Sequence, residues 1–298
     1  MAAQLLKRWT EHHAAVQGVA FRPDGRLLAS CANDGLVCLW EWKTGRLLWK
    51  WEFSGALFGV TFSPDGRHLA VGGEGAVWLC AIPPHAPPAR AIACSGEVLT
   101  LAFSPDGQRF AAGSTEGITY LWNPQTQLLL GKLSHDDGVH GLAFSPDNRF
   151  LAIGTQDGWL SLWEAQTGHR LARVFHEYGW ITSAAFSPDG RWLATGIETG
   201  ELVVIDFTTG AIAWRREAHA RPVLSVAFSP DSQLLVSASA DTSVRLWRVP
   251  QWTAVPGSLN HQQAVTGIAC ASAAEPIKTI LLATSSRDAS VCCWSVYP

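Results

Sequence analysis

"FSPDG" occupies residues 62–66, 103–107 and 186–190, and near copies stand at 21–25 (FRPDG), 144–148 (FSPDN) and 228–232 (FSPDS). Each reads as a tight turn. Pro fixes φ for the first central position of a type I turn, Asp suits the second, and Gly or Asn tolerates the conformation that follows. An apolar stretch such as VTFS enters the turn and one such as RHLAVG leaves it, which is a hairpin pattern. The aromatic before the turn falls at Phe21, Phe62, Phe103, Phe144, Phe186 and Phe228, in steps of 41, 41, 41, 42 and 42. One further step of 42 reaches Cys270 in VTGIACAS, which matches VLSVAFSP at 223–230 with the turn lost. A period of about 40–45 points to one propeller blade per repeat.

Other landmarks keep the same period. Nineteen residues after Phe21, Phe103, Phe144 and Phe228 stand Trp40, Trp122, Trp163 and Trp247. Trp294 takes this place in the seventh unit, after an insertion around AAEPIKT; Cys80 and Ile205 take it in the second and fifth. Thirteen residues after the aromatic come Asp34, Glu116, Asp157 and Asp241, with Glu74 and Asp288 as shifted equivalents. Nine residues before it come His12, His135, His219 and His261. His, strand-turn-strand, Asp and Trp in this order resemble the WD-repeat family across essentially the whole chain. The name-giving Trp-Asp pair is absent, since Glu41, Asn123 and Arg248 follow Trp40, Trp122 and Trp247.

The expected fold is therefore all-β: a seven-bladed β-propeller of four-stranded antiparallel blades, with residues 1–298 as one unit. The chain runs out after the third strand of its last repeat, SVCCWSV, and residues 3–9 align on an outer strand. They are predicted to complete blade seven and close the ring, which removes two open sheet edges.

Composition narrows the function. Net charge is −3 with no basic block, so nothing asks for nucleic acid or an anionic membrane. The first residues lack the apolar core of a signal peptide, and no apolar run reaches the roughly 18 residues of a membrane helix. The seven cysteines form no CxxC pair; they read as buried reduced thiols in a cytoplasm. The regular FSPDG style resembles bacterial members of the family.

Ser30, His12 and Asp34 are the residue types of nucleophilic catalysis. A triad occurs once, however, and this constellation recurs round the chain. The family resemblance implies a buried hydrogen-bond chain instead. Its sets are His12, Asp34, Trp40; His135, Asp157, Trp163; His219, Asp241, Trp247; and His261, Asp288, Trp294. The hydroxyl is Ser30, Thr155, Ser237 or Ser239, and Thr284 or Ser286. HDDGVH at 135–140 carries metal-ligand types, but His135 belongs to the repeat and His140 to an inner strand, so no metal is expected. PPHAPP at 83–88 reads as a stiff surface loop, with a ligand for an aromatic groove as the alternative. GGEG at 72–75 has no helix after it to make a phosphate loop. No cofactor and no catalytic residue is called for.

Antiparallel alternation puts the SPDG turns and the C–D loops on one face, and the D–A loops and B–C turns on the other. The first face is nearly uniform. The second varies from repeat to repeat, and variable loops on a rigid frame are where recognition sits. Phe58, Tyr178, Trp180, Arg221 and Arg287 exceed what the repeat needs there and form the expected partner-binding set. The expected function is a non-catalytic scaffold or adaptor for another protein or peptide. A small-ligand or modified-peptide reader using Arg221 and Arg287 is the alternative. An enzyme of the central channel would have only His140 as a strong general base.

Overall fold

The computed structural model describes residues 3–82, 91–175, 179–257, 259–272 and 279–297. Strand β1 (Ala3–Trp9) comes first. β2 (Val16–Phe21), β3 (Leu27–Ala32), β4 (Leu36–Glu41) and β5 (Arg46–Glu52) form one antiparallel sheet. β6 (Leu57–Phe62), β7 (His68–Ala81), β8 (Ile92–Phe103), β9 (Phe110–Ser114), β10 (Ile118–Trp122) and β11 (Leu129–Ser134) form the next. Two four-stranded sheets follow: β12 (Val139–Phe144), β13 (Phe150–Thr155), β14 (Trp159–Glu164), β15 (Arg170–Phe175), then β16 (Ile181–Phe186), β17 (Trp192–Ile197), β18 (Glu201–Asp206), β19 (Ala211–Glu217). β20 (Val223–Phe228), β21 (Leu234–Ser239) and β22 (Ser243–Arg248) carry two short outer pieces, β23 (Thr253–Ala254) and β24 (Leu259–Asn260). β25 (Val265–Ser272), β26 (Ile280–Ser286) and β27 (Val291–Val296) make the last sheet with β1.

Strand pairing corrects the blade count. The propeller has six sheets, not the expected seven, and the sheets are not uniformly four-stranded. The second and third repeats are joined in the six-stranded sheet, where Glu74 on β7 pairs with Glu97 on β8. The local bonding before β8 differs from that of the other repeats. Cys94 stands where four repeats have His, so no imidazole closes the loop into the third repeat. Thr115 Oγ1 and Tyr120 Oη instead accept from the Glu97 and Ser95 N–H groups, at 3.0 and 2.8 Å, and the chain stays extended from Ile92 to Phe103. The joined sheet supplies two of the strands that face the axis, β6 and β8. Inner strands pack in the cyclic order β2, β6, β8, β12, β16, β20, β25 and back to β2.

The ring is closed by β1, which pairs antiparallel with β27 from Ala3↔Val296 to Trp9↔Val291. Trp9 is buried, donates its indole N–H to Gly45 O at 3.0 Å, and lies 5.3 Å from the Trp40 ring. The first strand thus ties the last sheet to the first. Apolar layers fill each seam between sheets. Cys292 and Cys293 alternate along β27 and enter layers on opposite faces of that sheet, as strand geometry requires. Burial raises their thiols to about 11 and about 12, so both stay protonated and inert near neutral pH.

Each SPDG turn is built alike. In the second repeat the Ser63 hydroxyl donates to Asp65 Oδ1 and accepts from the His68 N–H, and Asp65 also accepts from the Arg67 N–H. The left-handed closing position belongs to Gly66 (φ +67°), with Asn148 and Ser232 in other repeats. One short polar sequence therefore satisfies its own backbone.

Candidate functional site

Every inner strand carries a bulge, at its second residue in all but the long β8. The ladder to the neighbouring strand skips between Val16 and Gly18, Leu57 and Gly59, Val98 and Thr100, and at the same place in the others. The skipped residues are Gln17, Phe58, Leu99, His140, Thr182, Leu224 and Thr266. A bulge re-aims a side chain, and all seven line one axial cavity of about 580 Å³. Thr266 Oγ1 donates to Val16 O at 2.5 Å, and Thr182 Oγ1 donates to Val223 O, so two of them also stitch neighbouring sheets together.

The expected partner set divides. Phe58, Trp180 and Arg287 line this cavity together, joined by Glu198 and Pro222. Trp180 is 42% exposed and stacks on His140 at 6.3 Å between ring centroids. His140 lies 3.3 Å from Gln156 Oε1, and burial pushes its pKa below 6.5; at neutral pH it presents an uncharged ring to the indole. Arg221 is exposed but does not line the cavity; its carbonyl accepts from Ser239 Oγ at 3.0 Å. Tyr178 lies outside the described residues, as does PPHAPP at 83–88.

The polar chains stand on the same face as the loops they brace. Trp40 Nε1–H donates to Ser30 Oγ at 3.2 Å, and Ser30 Oγ is 2.8 Å from His12 Nε2. His12 Nδ1 is 3.2 Å from Asp34 Oδ2, and Asp34 accepts from the His13 and Leu36 N–H groups. An imidazole protonated only on Nδ1 satisfies every member. Burial, outweighing the nearby Asp34, holds His12 below 6.5. His219 repeats this with Ser237 and Asp241, and His261 with Thr284 and Asp288. Trp247 and Trp294 close these chains at 3.1 and 3.0 Å. Ser243 and Ser290, two residues after the turn Asp, add a second hydroxyl to each. Ser239 and Ser286 do not join; they bond D–A loop carbonyls.

His135, Asp157 and Trp163 are not brought into such a chain. Ile153 occupies the strand position that Ser30 and Ser237 hold elsewhere. His135 Nε2 turns to Thr119 Oγ1 at 3.1 Å, Asp157 takes the Thr155 hydroxyl, and Trp163 Nε1 is buried without a partner. The four polar residues of HDDGVH are likewise dispersed: Asp136 pairs with Arg173 at 2.8 Å, Asp137 accepts from the Gly138 N–H, and His140 meets Gln156.

This asymmetry gives a paired prediction. Trp247→Phe abolishes a buried hydrogen bond, whereas Trp163→Phe removes an unsatisfied donor at similar cost in volume. Trp247→Phe should be the more destabilising by about 1–3 kcal/mol. Urea unfolding of both variants checks it; equal losses would contradict the assigned bonding.

Among known proteins, the family described as "WD domain, G-beta repeat" matches residues 3–41, 89–123, 127–164, 169–201 and 213–248, more than half of the chain. The chain is a WD-repeat protein. WD repeat-containing protein 38 of Mus musculus is 42% identical over 50 residues, and that of Homo sapiens 38% over 50. These matches span 17% of this chain and 16% of each relative. WD-repeat propellers generally serve as protein-interaction scaffolds. No helix among the described residues of this WD-repeat chain is long and apolar enough to cross a membrane.

The buried histidines make the WD-repeat ring acid-sensitive. His12, His219 and His261 are held below 6.5 by burial, and His135 is pushed down to about 4. The unfolded chain therefore binds protons that the folded one refuses. Stability is full above about pH 6.5 and falls as pH drops from there toward 4. Asp241, lowered to about 2 mainly by hydrogen bonds to Ser243 against its burial cost, extends the loss below pH 4. The urea midpoint should be level from pH 7 to 8 and lower at pH 5; a midpoint unchanged at pH 5 would contradict neutral buried histidines.

Proposed function

We propose that this WD-repeat chain is a non-catalytic scaffold or adaptor that grips another protein or peptide at the D–A/B–C mouth of its axial cavity. The observation that supports this reading most is Trp180. A large aromatic stands half-exposed at a rigid, concave mouth, stacked on His140, and shares the cavity lining with Phe58 and Arg287. Aromatic and Arg anchors beside a pocket carry most of the energy of protein recognition. Arg221 extends the set on the same face. The channel-lining residues are mostly apolar or hydroxyl-bearing, and the Thr182, Ser183 and Thr266 hydroxyls are hydrogen-bonded to the ring itself, which favours binding over chemistry.

The test is quantitative pull-down from the source cells with the parent chain and a Trp180→Ala/Arg287→Ala variant of unchanged melting temperature. Proteins captured by the parent should be lost with the variant. An unaltered capture profile from the folded variant would refute the site. Binding that weakens steeply with salt would favour the second reading, a small-ligand or modified-peptide reader built on Arg287.

A further inference from the structure

A second cavity, of about 350 Å³, lies on the rim at the seam between the β16–β19 and β20–β24 sheets, far from the axis. Its origin is the broken outer strand. β23 pairs β22 only at Trp247 and Arg248, and β24 only at Ser243 and Val244. Between them the chain leaves the ladder, with Gly257 at φ +95°, and β22 is uncovered at Arg245. Arg245 and Trp247 share one face of β22. Arg216 on β19, opposite Leu202, points across the seam to the same place.

The ring does not demand charge here. At the register of Arg216 the other outer strands place Trp9, Trp51, Leu133, Val174 and Leu259. Two residues before the repeat Trp, where Arg245 stands, are Cys38, Tyr120, Ser161 and Cys292. All of these but Val174 are buried. Among the described residues, only at this seam do two guanidiniums replace such a pair, and both are exposed to solvent. Among the described residues neither is in an ion pair. Glu201 is held by Arg215 at 2.9 Å and Asp241 by His219 at 3.0 Å. Arg216 lies over the Trp247 ring at 5.6 Å, which restrains its planar fork before any ligand arrives.

We infer that Arg216 and Arg245 form an anion site that takes the phosphoryl group of a small phosphate monoester. Two guanidinium forks match the charge and tetrahedral oxygens of a phosphate dianion. Trp247, Ala254 and Val255 give the organic part an apolar wall, in a volume suited to a small molecule.

The test uses the intact chain with inorganic phosphate and phenyl phosphate, against chloride at equal ionic strength, by calorimetric titration. Saturable binding is expected. Arg216→Gln and Arg245→Gln should each weaken it roughly tenfold or more, and Arg221→Gln with Arg287→Gln should leave it unchanged, which separates this site from the mouth. A readout on the unaltered chain accompanies it: phosphate should shield Arg216 and Arg245 from phenylglyoxal, as read by mass spectrometry. No binding above the chloride control, full affinity in the folded Arg216→Gln/Arg245→Gln variant, or no shielding would overturn the assignment.

Discussion

Removal of residues 1–9 should abolish cooperative unfolding and drive the chain to aggregate. β1 supplies the outer strand of the last sheet, so its loss bares the edge of β27, and an open apolar edge is a template for pairing with another chain. The loss reaches further than one strand. Trp9 leaves the seam where it covers Trp40 and holds the Gly45 carbonyl, and Arg8 leaves Asp288 at 3.5 Å. Burying such a side chain contributes about 1.5–3 kcal/mol on its own, and the first and last sheets then meet without it. Light scattering and thermal melts of the truncated chain check this. A soluble truncation that melts like the parent would contradict closure by β1.

Trp40→Ala should be the most costly single substitution of those considered, by about 3–5 kcal/mol. Trp40 is 1% exposed, touches Trp9, and donates to the Ser30 hydroxyl that also serves His12. Truncation leaves a cavity at the closing seam and frays the chain from Ser30 through His12 to Asp34. That is a large part of the roughly 5–15 kcal/mol by which domains are stable. Trp40→Phe fills most of the volume and should cost less, keeping only the hydrogen-bond part of the loss. Urea unfolding of the two variants separates packing from bonding; equal losses would mean that the ring volume contributes nothing.

Much of this was legible in the repeats, and the failures have local causes. The pentapeptide turns encode their own hydrogen bonds, so Phe21 through Phe228 mark strand ends reliably. The His–Asp–Trp positions follow from the period, but which sets close depends on a third residue. Ile153, in the strand position of Ser30, leaves no hydroxyl to bridge His135 and Trp163, whose rings meet only edge to face. The sheet count failed because a period counts copies, whereas pairing across Glu74 and Glu97 decides where a sheet ends; the missing His before β8 was no sign of it, since Phe53 takes the place of His before β6 and there the sheets stay apart. Phe58, Trp180 and Arg287 were identifiable as surplus to the repeat, yet the bulge that turns Phe58 and His140 into the cavity has no sequence mark of its own. Arg216 and Arg245 passed unnoticed because they converge only across a seam, through strand alternation on two different sheets.

Amide hydrogen exchange of residues 3–9 in the intact chain tests ring closure most directly. The alternate amides of residues 3–9 that point into the ladder with β27 should exchange as slowly as those of Cys292 and Cys293, and both sets should open together in global unfolding. Free exchange of residues 3–9 beside a protected β27 would contradict it.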